Sequence, residues 1–404
     1  MLIVRIIPIT AAFSLPADII CARIGVIEII LYLLLLIVFT VLLGILTGKV
    51  YKNRLFKKGT KGIFTEITAA ITGKTYDKAD ESEESARTPA DRNLLIRSYE
   101  NQDKAKKAYT VTGFAILSFI LASNVIGNSL VGGVLANIVA ARKHIDLLSV
   151  YDDTTFGMAL SIISLYVIAF PICALVMKLA NDSRCTVKKQ MPVNQYLRAI
   201  FTCFPIIYSL AYLSNTLAAK LSGGEAENPL VSVITSQNIL AVIMVAFLAP
   251  IFEELIFRKF IIDRTRRYGE LTSILLSSFL FGMLHCNIYQ IFYAFALGLI
   301  LGYVYMRTGN IILTIIIHII LNSSSSIIYP LAPEFYQYYA YTMSALGIIS
   351  IIYTLIKRDV KLEPAKYEVK RKELSPIAFL NPGVLIFNAV CILLTVFNFV
   401  SSVS

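Results

Sequence analysis

Apolar runs of about 20 residues recur along this chain, each long enough to cross a ~30 Å hydrocarbon layer as a helix. That recurrence implies one fold class: an all-α, polytopic helical membrane protein. The composition agrees, since 57% of the 404 residues are hydrophobic and 16% are charged, against about 25% charged in soluble proteins. The expected spans are 24–48, 110–133, 156–178, 196–219, 236–257, 271–290, 291–306, 309–329, 337–356 and 381–402, about ten transmembrane helices. The segment 291–306 is short and is expected to extend back toward Asn287 or to lie with little tilt.

The basic residues test this map. If the segments alternate across the bilayer, one side receives 32 of the 37 Lys and Arg and the other keeps Arg5, Arg23, Arg142, Lys143 and Lys220. The positive-inside rule expects such a split, and a single miscounted span scrambles it. The basic side is then cytoplasmic, in a multi-pass protein of the cell membrane. The formal charge of +11 follows from this topology, so nucleic acid is not invoked as a partner; the lipid bilayer is.

The chain divides into four regions. Residues 1–109 hold N-terminal membrane segments and a cytoplasmic loop, 110–235 further membrane helices, 236–329 the chemistry-bearing helices, and 330–404 the C-terminal helices. Residues 1–20 carry Pro8 and Pro16 and read as a half-inserted or interfacial segment, with a cleaved signal peptide as the alternative. Residues 49–61 form a basic collar suited to anionic headgroups, read as an ordinary stop-transfer flank ahead of a specific lipid site. The stretch to 109, with an acidic run at 77–84, is too poor in apolar residues for its own core and reads as a partly helical loop. His144 beside Arg142 and Lys143 reads as a solvated interfacial residue. Six scattered cysteines without a CxxC pair read as small buried apolar residues. Gly298-x-x-x-Gly302 permits close helix approach.

Three patterns interrupt the apolar runs: Glu253-Glu254-x-x-x-Arg258, Phe281-x-x-x-His285 and His318-x-x-x-Asn322. An unpartnered polar group in hydrocarbon costs several kcal/mol, so ionisable residues inside spans mark functional sites. Glu254 and Arg258 are i,i+4 and share a helix face, while Glu253 points about 100° away. One glutamate is therefore tied up by an arginine and the other is free to face a cavity. His318 and Asn322 share a face, and the Phe281 ring can wall a site beside His285.

Taken singly, each pattern has a plain structural reading. Glu253, Glu254 and Arg258 can be the polar end of a span, His285 a packing residue, His318–Asn322 an interhelical hydrogen bond, and Ser323–Ser326 a polar helix end. Within ~70 residues they are more economically one site. A carboxylate in a low-dielectric cavity can accept a proton from water near neutral pH, and nearby imidazole and amide groups can stabilise an oxyanion. The same side chains can instead hold zinc, although no HExxH helix is present. Water-mediated amide hydrolysis fits either arrangement. One difficulty is depth. These boundaries put Glu253 near the cytoplasmic edge and both histidines halfway across, so a shared site needs shifted span ends, tilt or a break near Pro250. A separation above ~10 Å from both histidines excludes it.

In this order on successive spans, the three patterns resemble the CPBP family of intramembrane proteases. That family includes the type II CAAX prenyl endopeptidases and bacterial proteins linked to bacteriocin self-immunity. The resemblance covers roughly 236–329. It implies that Glu253 is the general base activating water, that His285 helps hold that water, and that His318 and Asn322 stabilise the oxyanion. Glu254 and Arg258 are then the supporting pair. Both a metal-dependent and a metal-free glutamate mechanism remain open, with zinc the metal to consider. Cys286 has no place in the family pattern. The expected activity is cleavage of a peptide or membrane-protein substrate. The alternatives are a non-catalytic membrane binding or immunity protein, and a transporter with ionisable residues on an ion path.

Overall fold

The computed structural model describes residues 89–180, 190–236, 238–362 and 376–402, without the side chains of 89–101. The described residues form helices and no strand. The architecture rests on α1 (Gln102–Lys143), whose first turns reach back to Pro89, then α2 (Thr154–Met177), α3 (Val193–Ser222) and α4 (Ile239–Tyr268). These are followed by α5 (Glu270–Leu284), α6 (Ile288–Thr308), α7 (Ile311–Leu331), α8 (Pro333–Lys357) and α9 (Pro382–Ser401). All but α5 are long and apolar enough to cross a membrane, giving eight such helices among the described residues. Their outer faces carry large apolar side chains turned away from the protein, such as Leu175, Leu355 and Ile356, as a bilayer-embedded bundle requires.

Eight of the ten expected spans are matched among the described residues by helices long enough to cross. The span 24–48 lies outside the described residues, as do residues 1–20, the basic collar and the acidic run. The segment 271–290 is not a full span: α5 has 15 residues, about 22 Å at 1.5 Å per residue. It ends where Cys286 turns the chain at φ 46°. Asn287 then starts α6, its side chain accepting from Tyr289 N at 3.0 Å, which lengthens the short 291–306 segment in the expected direction. Asn238, Asn310 and Asn381 cap α4, α7 and α9 in the same way, each satisfying a backbone N–H left open at a helix start. His144 is exposed in a left-handed C-cap, and Cys173, Cys203, Cys286 and Cys391 are buried free thiols.

The helix α4 settles the depth difficulty. The sequence reading ends this span at 257, where a basic run begins. The helix instead continues to Tyr268, so Glu253 falls at the middle of its 30 residues. The run fails to end the helix because its first member, Arg258, is fully buried against Glu254.

Widened, π-helical turns shape the bundle. Ile163–Ala169 precedes Pro171, Ile243–Leu248 precedes Pro250, and Ser324–Ile328 precedes Pro330. Proline lacks an N–H and its ring presses on the carbonyl four residues back, so the preceding turn opens and frees acceptors for other partners. A fourth widened stretch, Leu255–Ile262, lies just after the paired glutamates.

Packing draws these helices into a bundle. α5 lies along α6, α3 along α6 and α8, α9 along α1, and α7 against the Ile243–Glu254 stretch of α4. A Cβ at Gly298 would stand 2.9 Å from Ser278 Cα, and one at Gly302 would stand 3.1 Å from Ile274. These glycines let the α5 and α6 backbones meet closely, as their spacing predicts.

Candidate active site

α4 brings the two glutamates to the interior on different sides. Glu254 is fully buried, with its Oε2 3.1 Å from Arg258 Nε one turn on. Arg258 also lies over the Phe281 ring, 5.1 Å from its centre, and donates to Ser277 Oγ at 3.4 Å. Ser277 in turn donates to Phe257 O at 2.6 Å, a carbonyl within the widened Leu255–Ile262 stretch. Two buried charges are tolerable only when they are matched, and here the match comes from α4 and α5 together with His318 of α7.

His318 of α7 stands between the carboxylates. Its Nδ1 lies 3.1 Å from Glu254 Oε1, and its Nε2 lies 3.6 Å from Glu253 Oε2. Glu254, held by Arg258, acts as acceptor, so Nδ1 carries the proton and Nε2 is the nitrogen turned to Glu253. One turn later, Asn322 Nδ2 donates to Val245 O at 2.9 Å. That carbonyl belongs to the widened turn before Pro250, and the bond leaves the second amide N–H and Oδ1 of Asn322 available.

His285 closes the arrangement at the end of α5. Its Nδ1 is 2.9 Å from Phe281 O. A carbonyl only accepts, so Nδ1 is the donor and Nε2 is left as an acceptor. The Phe281 ring meets His285 edge-on at 5.0 Å and His318 at 5.8 Å, spacing the two imidazoles. All seven residues singled out in the sequence thus gather in one region, and the reading of Glu253, Glu254 and Arg258 as a polar span end is overturned. Ser323–Ser326 is likewise no helix end: α7 continues to Leu331, with Ser325 and Ser326 bonded back to Asn322 O.

A cavity of about 420 Å³ opens onto this region. Glu253, Phe281, His285, His318 and Asn322 line it, while Glu254 and Arg258 lie behind the wall. The side chain of Glu253 is 24% exposed and that of Glu254 is 0% exposed. Of the two glutamates the one facing away from the arginine is therefore the accessible one. Cys286 donates to Met283 O at 3.6 Å, is buried, and does not line the cavity.

The donors do not converge as a zinc site requires. Catalytic zinc takes three protein ligands at about 2 Å, and among the described residues no three His, Cys, Asp or Glu side chains are grouped to hold a metal. Nδ1 of His285 and of His318 is bonded to a protein partner, which leaves Nε2 as the ring nitrogen on the cavity side.

Three contributors carried no motif. Tyr166 of α2, stacked on Phe252 at 4.5 Å, and Tyr293 of α6 share the cavity wall with Glu253. Tyrosine is common in this chain, with 22 copies, so neither stands out in the sequence. Ser277 did leave a signal, since 277, 281 and 285 fall on one face of α5 at i, i+4, i+8 spacing.

No curated protein and no solved structure matches the chain. Residues 235–324 match the family model described as Rce1-like, type II CAAX prenyl endopeptidase, which supports a CPBP-type protease. The matched segment contains Glu253, Glu254, Arg258, Phe281, His285, His318 and Asn322. Over residues 235–324 this match supports the resemblance to the CPBP/CAAX proteases that the three motifs carry.

Proposed function

We propose that this chain is an intramembrane endopeptidase of the cell membrane that hydrolyses a peptide bond with a water activated by Glu253. The observation that carries the reading is the asymmetry of the paired glutamates: Glu253 faces the cavity, and Glu254 is buried against Arg258 and His318.

The Glu253 carboxylate takes a proton from water as the water oxygen bonds to the scissile carbonyl carbon. His285 Nε2 accepts the second water hydrogen and fixes the direction of attack. The carbonyl oxygen becomes an oxyanion, stabilised by the remaining amide N–H of Asn322 and by His318 Nε2 when that nitrogen carries a proton. Glu254, bonded at Nδ1, holds the ring in place. When the intermediate collapses, the C–N bond breaks and Glu253 returns its proton to the leaving amine nitrogen. General-base catalysis of this kind contributes about 10²–10⁴-fold, and one oxyanion donor about 10²–10³-fold.

The test uses purified chain reconstituted in vesicles with membrane proteins from cells lacking it. The native chain and Cys286→Ala should generate the same new peptide termini, and Glu253→Gln none. Loss on Cys286→Ala with retention on Glu253→Gln would transfer the reaction to a thiol. Retention in both would take the reaction away from Glu253 and Cys286 alike, and no new termini with the native chain would favour a non-catalytic binding protein.

A further inference from the structure

The cavity is one-sided. Its walls come from the middle of α2, Phe204 onward in α3, the first half of α4, the end of α5, the first half of α6, His318 onward in α7 and the start of α8. Successive helices run in opposite directions, so the parts from α3 to α8 all point to one face of the bundle. That face carries the α3–α4 connection, the α5–α6 turn and the α7–α8 turn.

The other face holds the positive charge. Arg264, Arg266 and Arg267 end α4, Arg307 ends α6, Lys178 follows α2, Arg198 opens α3, and Lys357, Arg358 and Lys361 end or follow α8. Among the described residues the cavity's face carries Arg142, Lys143 and Lys220. Basic loops stay cytoplasmic, so the cavity's face is the non-cytoplasmic one.

A short segment forms the rim on that face. Asn228, Leu230, Val231 and Ile234 of the α3–α4 connection line the cavity. The helix Pro229–Thr235 within it has no buried residue. Tyr289 Oη donates to Ala226 O at 3.1 Å, tying the rim to α6 within two turns of His285. The rim leaves α3 through Gly223 and Gly224 at φ 67° and 94°.

We infer that substrate peptides reach Glu253 from the non-cytoplasmic face, across the 223–236 rim. The substrates are then segments of exported peptides, or of membrane proteins, exposed on that face, and not cytoplasmic C-termini. This rests on the peptidase reading above and adds the side from which the substrate comes and the class it belongs to.

The test starts from a chain with Cys21→Ser and Cys185→Ser, since the other four thiols are buried. Glu225→Cys and Lys361→Cys each add one exposed thiol, on the rim and on the basic face. A membrane-impermeant maleimide should label Glu225→Cys in intact cells and Lys361→Cys only after permeabilisation. The reverse pattern overturns the inference and leaves the peptidase reading standing, because labelling needs no catalysis. In Val231→Cys, a bulky impermeant thiol reagent added outside should then cut Glu253-dependent termini at least tenfold relative to the unlabelled variant. Undiminished cleavage after full labelling overturns the access route. The expected labelling with no Glu253-dependent termini at all overturns the peptidase reading, and the substrate class with it.

Discussion

Arg258→Met is expected to be among the most damaging single substitutions in the chain. Methionine keeps the apolar stem but removes the guanidinium, leaving Glu254 as a fully buried carboxylate with its Oε2 unmatched. Breaking a buried pair by removing one partner costs about 3–5 kcal/mol, mostly because the surviving charge is uncompensated. The contact over Phe281, 5.1 Å from the ring centre, adds about 1–2 kcal/mol at a desolvated position. The total is about 4–7 kcal/mol. Adding Glu254→Gln removes the stranded charge, and the new amide oxygen still accepts from His318 Nδ1, so the double variant should lose only about 1–3 kcal/mol. The recovery of about 3–4 kcal/mol on adding Glu254→Gln to Arg258→Met is the quantity to measure. Reversible denaturation in detergent micelles, followed by intrinsic tyrosine fluorescence, reads native, both single and double variants together. Additive losses, or a loss under 1 kcal/mol for Arg258→Met, would refute the argument that this pair is a matched charge in a dry interior.

Other perturbations separate catalysis from stability. Asn322→Ala should lower the cleavage rate about 10²–10³-fold through loss of one oxyanion donor; a change under threefold in a rate assay would remove Asn322 from the reaction. Gly298→Ala puts a Cβ 2.9 Å from Ser278 Cα and should destabilise by about 1–3 kcal/mol through overpacking, read by denaturant titration against Gly133→Ala, where the new Cβ meets nothing within 4 Å. The Arg198 guanidinium bonded to Asp359 holds that carboxyl below its usual value of 3.8. The folded state thus gains stability above the unfolded value and loses it as pH falls through the lower folded one. Asp359→Asn should flatten the stability profile below pH 4, and an unchanged acid limb would contradict this. Dialysis against a chelator should leave the cleavage rate within twofold, and a loss restored by zinc would show that the donors rearrange to hold a metal.

Much of this arrangement was legible because the bilayer makes polar residues conspicuous. Glu253, Glu254, His285 and His318 stand out among Leu, Ile and Phe, and their helical spacing already separated the accessible glutamate from the arginine-bound one. The family motifs narrowed the chemistry further. What the sequence misrepresented was the extent of α4. A run of five basic residues from Arg258 to Arg267 reads as a loop, and nothing local reveals that Glu254 and Ser277 draw Arg258 inside. The same error set Glu253 at the membrane edge. The short α5 was misjudged because apolar content cannot show that Cys286 adopts a positive φ and turns the chain back. Tyr166 and Tyr293 were invisible for a different reason. Their role follows from the convergence of α2 and α6 on one cavity, a fact of packing between distant segments.

The central claim is that Glu253 activates the water that cuts a peptide bond. The most direct test compares peptide termini, by mass spectrometry of membranes and medium, between cells carrying the native chain and cells carrying Glu253→Gln at equal protein level. The account predicts a set of termini present with the native chain and absent with the variant, while the variant unfolds at the same denaturant concentration. Identical termini in both, with the substrate shown to be expressed, would contradict it.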